Sequence, residues 1–284
     1  MKKNLTLALA LTLLALGGAS AALAQLELPR ASPKATDTQQ VGLTDVTIAY
    51  ARPGVKGRTI WGDLVPYGQV WRTGANEATT ITFSSDVKVA GTAVPAGTYG
   101  LFTLPGEKEW AVILNKGAKQ WGAYEYKPEE DLLRIPVQPQ EAPFTERMTF
   151  TFPNTTTDAT DVTLAWEKLS VSFRVEVEVH GKVLESARAA IAAAKADDWR
   201  TPLRAANYCL DNGVGLDEAR AWVDRSLAAQ ESMYGLVAKA RFAGLDGDKA
   251  AAIALAQKAI EVGKAADPKA DTAMAERLIA DWSK

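Results

Sequence analysis

Little in this chain supports metal or nucleophile chemistry. It has one cysteine, Cys209, and one histidine, His180, among 284 residues. A single histidine excludes every metal centre that needs two imidazole ligands, and it leaves a His–Cys zinc site without enough ligands. A single cysteine excludes an internal disulfide, so stability has to come from core burial. Cys209 lies in RAANYCLDNG, on the apolar face of a helical pattern, and reads as buried filler. No G-x-S-x-G, H-E-x-x-H, phosphate-loop or calcium-loop pattern occurs, and no cofactor is expected. DGD at 246–248 lacks the rest of a calcium loop, so Asp248 reads better as a helix N-cap. Lys and Arg total 32 against 34 Asp and Glu, a net charge of −2, and no basic field exists to attract nucleic acid. No later stretch is long and apolar enough to span a membrane.

The N-terminus does have a short apolar run. Lys2 and Lys3 precede LTLALALTLLALGGASAALA, the charged, apolar and small-residue regions of a secretory signal. Residues 1–24 are expected to be removed after Ala22-Leu23-Ala24, with no membrane span remaining. The cleavage point carries neither a lipoprotein cysteine nor a twin-arginine pair. Export to the periplasm or beyond the cell is the expectation.

Two periods divide the rest. From about residue 36 to 179 the alternation is two, clearest in SFRVEVEV, where Phe173, Val175, Val177 and Val179 share one face. DVTIAYA, TTITFS, DVKVAG, TYGLFTL, EWAVILN, LLRIPV, RMTFTF and DVTLAWE repeat the pattern between Pro/Gly/Asn turns. Short strands with such turns predict an antiparallel β-sandwich or jelly-roll-like domain over residues 31–180. After His180-Gly181, read as a junction turn, the period becomes 3.6 and alanine abounds. Helices are expected near 183–196, 200–211, 216–230, 232–244, 248–264 and 268–282. The fold class is therefore segregated α+β, with a helical-hairpin domain over 183–284.

The helical half repeats. Ala219 corresponds to Ala252, Val223 to Ala256 and Ser226 to Ala259, an offset of about 33 residues that resembles the ~34-residue tetratricopeptide period. The usual Trp, Gly and Tyr positions of its first helix are not clear, and an ordinary helical bundle is the alternative. Tetratricopeptide-like hairpins imply a groove for a protein partner.

The β half resembles the bacterial family called domain of unknown function 2911. The residues that carry the likeness are ASPKAT (31–36), VGLTDVTIAYARPGVKGRTIWGDLVPYGQVWRTGANEATTITFSSDVKV (41–89), VPAGTYGLFTLPGEKEW (94–110), ILNKGAKQWGAYEY (113–126) and LAWEKLSVSFRVEV (164–177). The resemblance implies an exported, mostly β domain often followed by helices. It implies no catalytic residues.

Two loops carry unusual chemistry between plain strands. The first, within 51–80, holds Arg52, Lys56, Arg58, Trp71, Arg72, Asn76 and Glu77; the second, 119–126, holds Lys119, Gln120, Trp121 and Tyr124. Aromatics beside guanidinium groups suit stacking on a sugar ring and bidentate capture of an anion, and Asn76 and Gln120 suit ligand hydroxyls. A small polar or carbohydrate-like ligand is one reading. The competing one is structural: Arg72 pairs with Glu77, Gly74 supplies a positive φ, RPGVKGR is a tight turn, and the aromatics pack. A carboxylate-based hydrolase using Glu77, Asp63 or Glu125 is a further alternative, as is a scaffold that meets partners only through its helices.

Overall fold

A computed structural model describes residues 28–284; the expected signal over 1–24 lies outside the described residues. In chain order the strands are β1 (Lys34–Val41), β2 (Thr44–Ala51), β3 (Thr80–Phe83), β4 (Val87–Val89), β5 (Thr92–Val94), β6 (Gly97–Leu104), β7 (Trp110–Asn115), β8 (Asp131–Val137), β9 (Gln140–Thr151) and β10 (Ala159–Val177). They form a six-stranded sheet, β1-β2-β3-β6-β7-β8, and a four-stranded sheet, β5-β4-β10-β9. Every pairing is antiparallel.

Alternation decides which faces meet. Val46, Ile48 and Tyr50 of β2 are buried, and so are Val171, Phe173, Val175 and Val177 of β10, while Glu176 is exposed. Side chains from both sheets share one core. Trp61, partly buried, packs against this core and meets Trp71, Trp110 and Trp166 edge-on, with centroids 5.9, 4.9 and 5.7 Å away. Edge-to-face contact suits the ring quadrupoles.

β1 and β5 are absent from the alternation pattern. KATDTQQV is an edge strand, half exposed along its length, held by a full backbone ladder to β2 rather than by burial. β5 is three residues long. DVTLAWE and SFRVEVEV, expected as separate strands, fall in one 19-residue strand, which ends at Val177 before the last two residues of the second segment. It bends where Glu167 takes φ 58° and the register against β9 shifts.

The helices are α1 (His180–Ala193), α2 (Arg200–Asn212), α3 (Leu216–Ala229), α4 (Met233–Leu245), α5 (Lys249–Ala266) and α6 (Ala273–Trp282). Strands and helices are segregated along the chain, so the fold is α+β. Gly213 ends α2 at φ 66°, and Asp248 caps α5 by accepting from the Ala251 N–H at 2.9 Å. Ala219, Ser226, Ala252, Ala256 and Ala259 are fully buried between helices. Cys209 is buried and free, and burial raises its thiol pKa, the opposite of a reactive thiolate. His180 opens α1, its Nδ1 2.8 Å from the Tyr208 hydroxyl. No helix among the described residues is long and apolar enough to cross a membrane.

Candidate ligand-binding site

The segment VWRTGANEATTITF begins as a strand-like bridge. The Trp71 N–H donates to Thr103 O at 2.8 Å, and Trp71 O accepts the Thr103 N–H in return at 3.0 Å. This turns the Trp71 ring into the tryptophan core, where its Nε1 donates to Gly74 O at 3.1 Å. Extended-chain alternation sends Arg72 to the opposite, outer face of the larger sheet. The next residue is strained: Thr73, β-branched, takes φ 53°. It is held there by the Thr79 hydroxyl, which donates to Thr73 O at 2.7 Å, and by its own hydroxyl 3.2 Å from that of Thr103. Asn76 is also left-handed, at φ 61°. The expected positive φ at Gly74 therefore falls on Thr73 and Asn76 instead. Gly74 serves a close approach: a Cβ there would lie 2.9 Å from Thr79 Oγ1 and 3.2 Å from Ala51 O.

The expected Arg72–Glu77 pair does not form. Glu77 is held by Arg30, whose Nη1 reaches both carboxylate oxygens at 2.9 and 2.8 Å, and by Lys34 at 2.9 Å. Arg30 is the largest cause, followed by the Glu77 backbone N–H and Lys34, of a pKa lowered to about 2. The chain just before β1 thus lies against the loop, and Asn76 Nδ2 also meets Ser32 O at 3.4 Å.

The second loop folds over the same outer face. Ala78, Phe102 and Ile113 form a small second core there, covered by Val70, Ala123 and Tyr126. The loop ends are fixed by a polar cluster. Tyr126 and Arg134 Nε donate to Asp131 Oδ2 at 2.7 and 2.6 Å, and Asn115 Nδ2 donates to Asp131 Oδ1 at 2.7 Å. Burial, then the Asp131 carboxylate, pushes the Tyr126 phenol up to about 12. Backbone pairing then joins the two loops: the Ala78 N–H donates to Gln120 O at 3.0 Å, and the Gly122 N–H to Asn76 O at 2.9 Å.

The junction is hollow on both sides. One cavity, of 470 Å³, has a floor of Thr36, Ala49 and Thr80, with Lys34, Glu77 and Trp121 around it. The indole of Trp121 is 58% exposed although it borders this space. A second cavity, of 480 Å³, is lined by Tyr124, Glu125, Tyr126, Lys127 and Glu130. Lys119 and Gln120 line both. Two polar atoms at the junction are buried with no hydrogen-bond partner among the described residues, Arg72 Nε and Gln120 Oε1. A buried donor or acceptor left unmet costs on the order of 1–3 kcal/mol. Burial lowers the Arg72 pKa from its ordinary value, and the Tyr124 phenol opposes that shift.

The sequence profile of the family described as Protein of unknown function (DUF2911) matches residues 32–175, just over half of the chain. The chain belongs to the DUF2911 family. No curated protein and no solved structure matches it. The DUF2911 region contains both loops and every lining residue of both cavities, and it ends before α1 begins at His180.

Of the residues singled out in the sequence, Glu77, Lys119, Gln120, Trp121 and Tyr124 line one cavity or both, and Asn76 reaches the second loop only through its backbone O, which accepts the Gly122 N–H. Arg52, Lys56, Arg58, Trp71, Arg72 and Asn76 line neither cavity. Arg52 Nε donates to Met148 O at 3.0 Å; Arg58 clasps Gly54 O at 2.6 Å and Val55 O at 3.1 Å. Lys56, at φ 50°, tightens the same turn through its backbone N–H to Glu146. These contacts brace RPGVKGR as a tight turn, but Arg52 and Arg58 are tied to backbone carbonyls rather than left as solvated charges. Arg30 and Lys34 carry no local signal, because their partner lies far along the chain. Asp63 is in neither cavity, whereas Glu77 and Glu125 border different ones. Among the described residues no group of three or more His, Cys, Asp or Glu side chains converges as a metal site.

Proposed function

We propose that this protein is a non-catalytic binding module of the bacterial envelope, and that the 470 Å³ cavity beside Trp121 takes a small polar or carbohydrate-like ligand. The observation that carries the reading is the exposed indole of Trp121 standing over a floor of small side chains. An indole face left in water at the rim of a cavity is a platform for the C–H face of a sugar ring. Lys34, Lys119 and Glu77 supply charge and hydrogen-bonding capacity around it. Glu77, with its pKa near 2, is a permanent acceptor at neutral pH and is unsuited to donate a proton as a general acid, which weighs against the carboxylate-hydrolase alternative.

A thermal-shift panel of neutral and acidic oligosaccharides, cell-wall fragments, nucleotides and organic acids tests the reading. A ligand should raise the melting temperature of the wild type by mass action and leave Trp121→Ala unmoved. A ligand that stabilises both proteins equally refutes the placement.

We also propose that residues 1–24 direct export and that the helical half meets a protein partner. The export reading rests on the sequence pattern, and N-terminal sequencing of the envelope form should begin at Gln25. The partner reading is supported by a 520 Å³ groove lined by Leu43, Val183, Ala187, Ala190 and Tyr208, with Leu43 54% exposed. A crosslinker at Ser186 should capture one partner, and Ala190→Glu should abolish that capture. Undiminished capture by the variant contradicts it.

A further inference from the structure

The edge of a β-sheet is a row of unmet N–H and C=O groups, and folded proteins blunt it with proline, bulges, short strands or covering chain. Three of the four sheet edges in this fold are blunted in such ways. β8 carries Pro136, which has no N–H to offer. β5 is three residues long. β9 carries Pro143 and slips register twice against β10. The loop after β2 also covers its outer side, where the Val55 N–H donates to Glu146 O at 2.8 Å and the Met148 N–H to Pro53 O at 3.0 Å.

β1 has none of these devices. Its eight residues pair with β2 without a bulge, from Lys34↔Ala51 to Val41↔Thr44. Bonds on both sides of β2 fix the phase of the ladder. The Arg52 N–H donates to Pro33 O at 2.9 Å, and across the other side the Ser84 N–H donates to Asp45 O at 3.0 Å. Odd-numbered residues of β1 therefore spend their backbone groups on β2, and Thr36, Thr38 and Gln40 point theirs outward. All three are exposed, and their N–H groups have no partner among the described residues. Gln40 O is met only by its neighbour, Gln39 Nε2, at 2.8 Å. The two charges of the strand do not guard the edge. Lys34 is bound to Glu77, and Asp37 turns inward to accept the Tyr50 hydroxyl at 2.7 Å.

The strand is complementary to itself. Laid antiparallel against a second copy and centred on Thr38, it sets Thr38 against Thr38, Thr36 against Gln40, Asp37 against Gln39 and Ala35 against Val41. Polar side chains meet polar ones, apolar meet apolar, and no like charges face each other. Thr38 already ends a threonine row across the outer face, Thr38↔Thr47↔Thr82↔Thr98. Its hydroxyls are 2.9 Å apart in the first pair and 2.8 Å apart in the last. Pairing through Thr38 continues that row into the second copy.

We infer that β1 pairs antiparallel with β1 of a second copy of this chain, joining two six-stranded sheets into one. Thr36, Thr38 and Gln40 of each copy donate and accept across the junction. Thr36 belongs to the floor of the 470 Å³ cavity, so Gln40 of the second copy stands beside that cavity. The pairing does not depend on what the cavity holds.

Light scattering on the full chain over a dilution series tests this. The wild type should have twice the mass of one chain and dissociate on dilution. Thr38→Pro removes an N–H that β2 does not use, so the circular dichroism spectrum should be kept while self-association weakens about tenfold or more. Should Thr38→Pro fold poorly, Thr38→Cys at the same exposed position decides. Opposed residues of an antiparallel pair lie about 5.5 Å apart at Cα, within reach of a disulfide, and Cys209 is buried. An added oxidant should therefore cross-link Thr38→Cys into a covalent dimer and leave Thr92→Cys, on the β5 edge, uncross-linked. A wild type that stays monomeric throughout, a dimer that a folded Thr38→Pro leaves intact, or a dimer in which Thr38→Cys does not cross-link overturns the inference.

Discussion

Arg30 holds Glu77 through both carboxylate oxygens, at 2.9 and 2.8 Å, across 47 positions of sequence. The pair ties the chain before β1 to the loop that forms the cavity wall. Lys34, on β1, closes on the same carboxylate and also lines the cavity. The sequence places aromatic and cationic residues in two loops; the structure makes a site by pinning one loop with Arg30 and pairing its backbone with the other.

The Glu77 pairing has a definite pH signature. Its folded pKa, about 2, lies below the ordinary 4.5, so the stabilisation is present above pH 4.5 and is lost as pH falls toward 2. Both partners are partly exposed, so the effect should not exceed about 1 kcal/mol. Urea unfolding of wild type and Glu77→Gln should give stability curves that differ at pH 6 and converge near pH 2. Parallel curves throughout contradict the pairing.

Tyr126 should titrate late. Its phenol is pushed to about 12 by burial and Asp131, so the neutral form stabilises the fold until pH passes the ordinary value of 10, and that contribution fades through 12. Ultraviolet titration should show an absorbance step near pH 12 that Tyr126→Phe removes.

Two tryptophans in neighbouring loops should behave oppositely. Trp71 is a core residue, so Trp71→Ala should cost about 3–5 kcal/mol in denaturant unfolding. Trp121 is 58% exposed, so Trp121→Ala should change stability by about 0.5 kcal/mol or less. A large stability loss for Trp121→Ala would make it a packing residue.

Gly74→Ala should destabilise by about 1–3 kcal/mol, because the added methyl meets a backbone carbonyl, Ala51 O, at 3.2 Å. Chemical unfolding measures it directly. The same substitution at Gly57, which has open space but φ 68°, tests conformation without crowding.

Much of the fold is legible in the sequence because burial leaves a period. β2 and β10 alternate as their packing requires, β6 and β7 are near-continuous apolar runs because both their faces are covered, and the change of period near His180 marks the change of class. β1 is not legible, since backbone pairing at a sheet edge asks little of its side chains. The site is half legible. Arg72, Gln120 and Trp121 stand out as chemistry misplaced in loops, but Trp71 stands out equally and belongs to the core. Local sequence does not distinguish a ring turned inward from one turned to water; the Trp71–Thr103 bridge does. Arg30 is invisible for a different reason: an ion pair between distant positions leaves no pattern near either.

The most direct test is to map binding residue by residue. Amide and indole resonances of the labelled protein, followed by nuclear magnetic resonance during titration with the sugar that gives the largest thermal shift, locate the ligand. The expected result is movement of Trp121, Gln120, Lys34 and Ala49, with α1 to α6 unaffected. Movement confined to the helices, or none at the junction of the two loops, would contradict a ligand site there.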